Sequence, residues 1–167
     1  NVHLQKYPSE DAFAAMRDQP ARLPAIAVNL SGLSLTRAGM REFIIECQER
    51  CGIDPARVCL EVTETAAIAN LSYAIAFLAG LQARGFRFAL DDFGSGLSSF
   101  AYLKNLPVDF LKIDGGFVRD MCTDPIDRAM VHAINEIGHT MGIRTIAEYV
   151  EDEATLAALR DIGVDYA

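Results

Sequence analysis

Residues 88–96 read FALDDFGSG: an apolar run that ends in two adjacent aspartates and a glycine-rich turn. Neighbouring carboxylates raise each other's pKa, and burial at a strand end adds to the cost. A pair placed there calls for a compensating cation: a lysine, a helix terminus or a metal. Outward from this stretch, short apolar runs alternate with longer segments of helical period. PAIAVNL (24–30), ARVCLEVTE (56–64), FRFALDD (86–92), VDFLKID (108–114) and IRTIAEYVE (143–151) are expected to be strands. Their near-continuous apolar character suits strands covered on both faces.

The intervening segments carry helix signals. SLTRAGMREFIIECQERCG (34–52) has Thr36 as a candidate cap, an apolar stripe of Phe43, Ile44 and Cys47, and a stop at Gly52. AAIANLSYAIAFLAGLQARG (66–85) ends at Gly85. LSSFAYLKNLP (97–107) is a short helix stopped before Pro107, with Ser98 or Ser99 able to cap it. DPIDRAMVHAINEIGHTMG (124–142) places Pro125 in its first turn, and DEATLAALRDIG (152–163) is the last helix. VDYA (164–167) is expected to begin a further strand.

Strands alternating with helices imply parallel β/α units. The polar residues separate an open sheet from a barrel. Asn29, Glu61, Asp91 with Asp92, Asp114 and Glu148 fall at the C-terminal ends of successive strands. In a barrel those ends converge on one mouth; in an open sheet they spread along an edge. No phosphate-binding glycine loop follows the first strand, and GSG at 94–96 lacks the spacing of a dinucleotide fingerprint. The expected fold class is therefore α/β, a modified TIM-type (β/α) barrel forming a single domain over 1–167. Such barrels need about 200 residues or more. The barrel is expected to be incomplete at both chain ends, with strands before Asn1 and after Ala167.

Composition narrows the partners. A formal charge of −8 repels nucleic-acid backbones and anionic lipid, so no nucleic-acid polymer is expected as partner. No apolar run approaches the ~18 residues needed to cross a bilayer. Cys47, Cys51, Cys59 and Cys122 form no CxxC pair, and read as small buried thiols of a reducing compartment. The expected location is cytoplasmic, which leaves room for an inner-membrane anchor elsewhere in a parent chain.

Asn29, Glu61, Asp91, Asp92 and Glu148 are hard oxygen donors, suited to Mg²⁺, Mn²⁺ or Ca²⁺ rather than zinc or copper. Their number exceeds what one Mg²⁺ needs and suggests two metals ~3.5–4 Å apart, a device for displacement at phosphorus. Each acid alone also reads as a helix cap or a solvated turn; it is the set on successive strand ends that points to metal. Lys112 and Asp114 are two apart on a strand and are expected to share the inward face. Lys112 then either orients a metal-bound water and neutralises phosphoryl charge, or forms a buried ion pair with a neighbouring acid. Gly94, Ser95 and Gly96 make a loop over the mouth. Glu64 either holds that loop or caps the next helix.

VNLS (28–31), LEVTET (60–65), DDFGSGLSS (91–99), LPVDFLKID (106–114) and IAEYVE (146–151) together resemble the EAL-domain family, the cyclic di-GMP phosphodiesterases. The resemblance implies a modified β/α barrel that hydrolyses cyclic di-GMP to linear pGpG with metal-activated water, in bacterial second-messenger signalling. It implies metal roles for Asn29, Glu61, Asp91 and Asp92, with Glu148 in the metal or water shell. Lys112 would hold the catalytic water, Glu64 would anchor the loop after Asp92, and Glu151 would be a supporting acid. The implied cofactor is Mg²⁺ or Mn²⁺ in a two-metal site, with Ca²⁺ inhibitory. The implied partners are a second copy in a homodimer and sensor or GGDEF-type domains in the parent chain. The family's Glu-Ala-Leu strand and its Gln-Gly segment would fall before Asn1 and after Ala167, which leaves inactivity of the chain as it stands an open expectation. Tyr149 stands where the family usually has glycine; strand alternation would turn it away from Glu148, with an effect on packing. The alternative reading is a catalytically silent cyclic di-GMP receptor; a third is an unrelated metal-dependent barrel.

Overall fold

The computed structural model describes residues 10–18, 25–95 and 100–167. The chain divides into two compact units. The first comprises Asn1–Ala89 with Asn105–Pro107, the second Leu90–Lys104 with Val108–Ala167.

In the first unit, α1 (Glu10–Asp18) precedes β1 (Ile26–Leu30), α2 (Gly32–Thr36), α3 (Met40–Cys51), β2 (Val58–Thr63), α4 (Glu64–Ala69) and α5 (Leu71–Gln82). β1 and β2 run parallel, with Asn29 opposite Glu61. Val28, Leu30, Val58, Leu60 and Val62 are buried, because helices cover the strands. Two expected helices are each broken in two. Gly39, at φ +79°, separates α2 from α3, and Asn70 interrupts the 66–85 run between α4 and α5. Ser31, not Thr36, caps α2: its side chain accepts from the Ser34 N–H, while the Thr36 hydroxyl donates back to the Gly32 carbonyl. Gly52 ends α3 in the left-handed conformation, as expected.

β3 (Arg87–Phe93) begins in the first unit and ends in the second. The second unit continues with β4 (Phe110–Ile113), α6 (Gly115–Asp120), α7 (Pro125–Thr140), β5 (Arg144–Ala147) and α8 (Glu153–Ile162). β4 and β5 are parallel, with Lys112 opposite Ile146. The strand order is β1-β2-β3 in the first unit and β3-β4-β5 in the second. Asp124 and Pro125 start α7 together: the Asp124 carboxylate accepts from the Ile126 N–H, and proline costs nothing at a position whose N–H would be unpaired. Asp152 caps α8 in the same way. Among its described residues, the 97–107 segment forms a 3₁₀ turn over Phe100–Asn105 and no α-helix; the expected serine caps, Ser98 and Ser99, lie outside the described residues, as does Gly96. α6 was not expected; β1, β2, β4 and β5 are shorter than their expected runs, and β3 is shifted by one residue to end at Phe93.

The strand expected over 164–167 is reduced to one bridge, Ile146 to Tyr166. Asp165 secures that segment. Its Oδ2 accepts from the Thr145 N–H at 2.8 Å and the Thr145 hydroxyl at 3.2 Å, and lies 2.9 Å from His139 Nε2. Burial opposes the charge, but these donors outweigh it and hold the carboxyl below its usual range. A depressed carboxyl pKa contributes stability above the unfolded-state value and loses it as pH falls through the folded value. Asp165→Asn is therefore expected to cost about 1–2 kcal/mol at neutral pH, with the difference from the parent vanishing in acid. Thermal unfolding across pH checks this.

Of the cysteines, only Cys47 is buried. Cys51 and Cys59 are half-buried, and Cys122 is exposed, which corrects the reading of four buried thiols. No described helix is long and apolar enough to cross a membrane.

Candidate active site

β3 delivers adjacent acids because it ends in polar residues after a buried stretch, Phe88–Leu90. Asp91 is largely buried; Asp92 is exposed and adopts φ +53°, a left-handed conformation that aspartate tolerates better than most residues. The Asp91 Oδ1 accepts from the Asp92 N–H, and the Ser95 hydroxyl donates to the Asp92 carbonyl at 2.8 Å. Ser95 thus closes the turn. Gly94 is held to glycine by its backbone, and its surroundings are crowded. Its φ is +97°, and a Cβ there would lie 2.9 Å from Ile134 Cδ1 and 3.0 Å from Phe117 Cε2.

Lys112, on β4, is the cation that the acid pair called for. Its Nζ lies 2.8 Å from Asp91 Oδ1 and 2.8 Å from Glu148 Oε1, with side chains only 6%, 13% and 23% exposed. Glu148 immediately follows β5. One buried ammonium therefore serves two carboxylates, and Asp92 adds a third. Asp91, Asp92 and Glu148 each offer an oxygen, all within 4.8 Å of one another. The Asp92 carboxyl is pushed above its usual range, first by desolvation around its carboxyl, open though the residue is, then by repulsion from Asp91, Asp114 and Glu148; Lys112 opposes this. A cluster with more negative charge than one lysine neutralises, built only of hard oxygen donors, fits a divalent cation.

Asp114 does not share the face of Lys112. β4 ends at Ile113, and the Asp114 carboxylate turns to cap α6, accepting from the Gly116 N–H at 2.7 Å. Its charge still bears on Asp92. The following Gly-Gly pair marks Asp114 as a cap, a signal overlooked because Lys-Ile-Asp reads as continuous strand. Glu64 opens α4 and is buried, but the cap is Thr63, whose hydroxyl accepts from the Ala66 N–H. Part of the loop it was expected to hold lies outside the described residues. Asn29 and Glu61 are neighbours across β1 and β2 in the first unit, with Glu61 buried. Glu151 is exposed ahead of α8 and does not join the acid group.

Tyr149 departs most from its expected placement. The strand stops at Ala147, so alternation does not reach it; Tyr149 adopts φ +56°. That conformation suits glycine and strains tyrosine. Its ring lies against Gly115, with the Arg119 guanidinium 5.6 Å from the ring centroid.

A family model for the EAL domain matches residues 3–167. The chain belongs to the EAL-domain family. This EAL domain is 46% identical over 142 residues to cyclic di-GMP phosphodiesterase PdeB of Shewanella oneidensis, covering 85% of the chain and 17% of that relative. It matches the solved PaMucR phosphodiesterase, a c-di-GMP complex, with a TM-score of 0.87 and 37% identity over 93% of the chain and 64% of that structure. The EAL domain of Mycobacterium smegmatis DcpA matches with a TM-score of 0.85 and 32% identity, over 92% of the chain and 71% of that structure. The α/β fold is thus that of solved EAL domains. The chain spans about a fifth of the length of the curated relatives it matches.

Proposed function

We propose that this EAL domain hydrolyses cyclic di-GMP to linear pGpG with the help of Mg²⁺ or Mn²⁺. The observation that carries the reading is the grouping of Asp91, Asp92 and Glu148 around Lys112. Its substrate is supported by relatives named cyclic di-GMP phosphodiesterase and by a solved relative in complex with c-di-GMP.

Asp91, Asp92 and Glu148 would hold the cation. When bound, it would supply Lewis-acid chemistry that makes water a nucleophile at neutral pH and offsets charge on the phosphoryl group. Lys112, charged and nearly buried, donates a hydrogen bond that orients the attacking water. The new bond joins the water oxygen to phosphorus, and the bond that breaks joins phosphorus to the ribose 3′ oxygen. The proton released by the water ends on that leaving oxygen, and the neighbouring carboxylates can relay it. Asn29 and Glu61 are proposed as further oxygen ligands, and a two-metal arrangement as their consequence; the match of VNLS and LEVTET to the family's motifs supports this.

The wider reading is a single domain, cytoplasmic and homodimeric, within a longer signalling protein that carries sensor or GGDEF-type domains. Support for the longer parent comes from relatives about four to five times as long, one of them named a bifunctional diguanylate cyclase/cyclic di-GMP phosphodiesterase. The test is incubation with cyclic di-GMP and, separately, bis-(4-nitrophenyl) phosphate, with and without Mg²⁺. Mg²⁺-dependent appearance of pGpG is the expected result. Tight binding without turnover would identify a receptor instead.

A further inference from the structure

We propose that Tyr149 is a positioning residue: its ring, clamped over Gly115, holds the β5–α8 connection so that the Glu148 carboxylate meets Lys112. The proposal builds on the reading of the acid group as a metal-dependent phosphodiesterase centre.

Glu148 lies beyond the last residue of β5, so ladder hydrogen bonds do not fix it. Its partner Lys112 lies on β4, three residues before Gly115. A contact between residues 149 and 115 therefore ties the residue after Glu148 to the start of α6, three residues past Lys112, the other member of the 2.8 Å pair. That contact is close. A Cβ on Gly115 would sit 2.1 Å from Tyr149 Cδ2 and 2.9 Å from both Cγ and Cε2. The tyrosine ring occupies the space that any larger residue at 115 would need. Arg119, one turn along α6, brings its guanidinium 5.6 Å from the ring centroid, within cation–π range.

The backbone points the same way. Among the described residues, Asp92 and Tyr149 are the non-glycine residues with positive φ. One belongs to the acid group and the other adjoins it. Strained conformations persist where surrounding contacts over-determine them, and they gather at functional sites. A glycine at 149 would adopt φ +56° without strain but would bring no ring to Gly115. Tyrosine keeps the strain and gains the clamp, although 61% of its surface stays exposed. Burial of the side chain is thus not what holds the conformation.

A double-mutant cycle tests this. Tyr149→Gly removes ring and strain together; Gly115→Ala drives the ring off its seat. Each is expected to weaken Mn²⁺ binding, read by electron paramagnetic resonance, and to lower kcat, both by about tenfold. KM should hold, because the substrate's own contacts are untouched. Tyr149→Gly should unfold no more readily than the parent, so a general loss of stability does not explain its effect. The double variant should lose no more than Tyr149→Gly alone, because the alanine then has nothing to displace. Tyr149→Phe, which keeps the ring, should restore Mn²⁺ affinity and kcat. Parent-like Mn²⁺ affinity and kcat in Tyr149→Gly, or losses that add in the double variant, would overturn the clamp. If Gly115→Ala does not fold, the comparison of Tyr149→Gly with Tyr149→Phe decides. Mn²⁺ affinity is read without turnover, so absence of hydrolysis in the parent would sink the phosphodiesterase reading while the cycle still judged the clamp.

Discussion

Lys112→Met is expected to destabilise the metal-free protein by about 3 kcal/mol at neutral pH and to lower turnover of cyclic di-GMP by at least about a hundredfold. The methionine fits, since it is close to lysine in length and volume. What it lacks is the charge that sits 2.8 Å from both Asp91 and Glu148. Removing one partner of a buried ion pair leaves the other uncompensated, and here two carboxylates are left. The stability loss should shrink on adding Mn²⁺, which replaces the missing positive charge. Turnover should not recover with Mn²⁺, because the proposed donor to the attacking water is gone. Urea unfolding at neutral pH, with and without Mn²⁺, reads the first effect, and product formation reads the second. Unaltered metal-free stability would mean that the lysine does not neutralise the acids. Unaltered turnover would remove it from the chemistry.

Asp92→Asn is expected to do two opposite things: stabilise the metal-free fold and lower kcat by more than about a hundredfold. The Asp92 carboxyl is held above its ordinary range by desolvation and by Asp91, Asp114 and Glu148. For a carboxyl whose folded pKa is raised, the unfolded chain binds fewer protons, so stability falls as pH rises through that window. The penalty is fully present above the raised folded value and absent below the unfolded one. Asparagine carries no charge, so the variant should melt higher than the parent at neutral pH and equal it in acid. With a cation bound, the same repulsion becomes binding energy, which the variant forfeits. Nucleotide affinity should change less than kcat, since the carboxylate serves the reacting phosphoryl group. A neutral-pH melting temperature at or below that of the parent would contradict the electrostatic account. An equal loss in affinity and turnover would contradict the role in the chemical step.

Much of this was legible in the sequence, for identifiable reasons. Parallel strands buried on both faces announce themselves as apolar runs, so four of the five described strands lie within the segments that hydrophobicity marks, and β3 overruns its segment by one residue, Phe93. The demand for a cation beside Asp91 and Asp92 follows from Coulomb repulsion, and Lys112 meets it. What periodicity cannot report is backbone torsion. Gly39 and Asn70 break helices whose apolar pattern runs on without interruption. Asp114 looks like a strand residue facing the site, yet its short side chain finds the Gly116 N–H first and caps α6. Tyr149 looks like part of a strand, yet it lies past the last ladder bond in a conformation that residue type would discourage. These misreadings share a cause. Each concerns a residue just past the end of an element, where capping and torsion replace hydrophobic period as the governing physics.

The most direct test of the central claim is anomalous diffraction from crystals grown with Mn²⁺. The account predicts anomalous density within bonding distance of carboxylate oxygens of Asp91, Asp92 and Glu148. Mn²⁺ bound only elsewhere, with those three carboxylates holding nothing but Lys112, would contradict it.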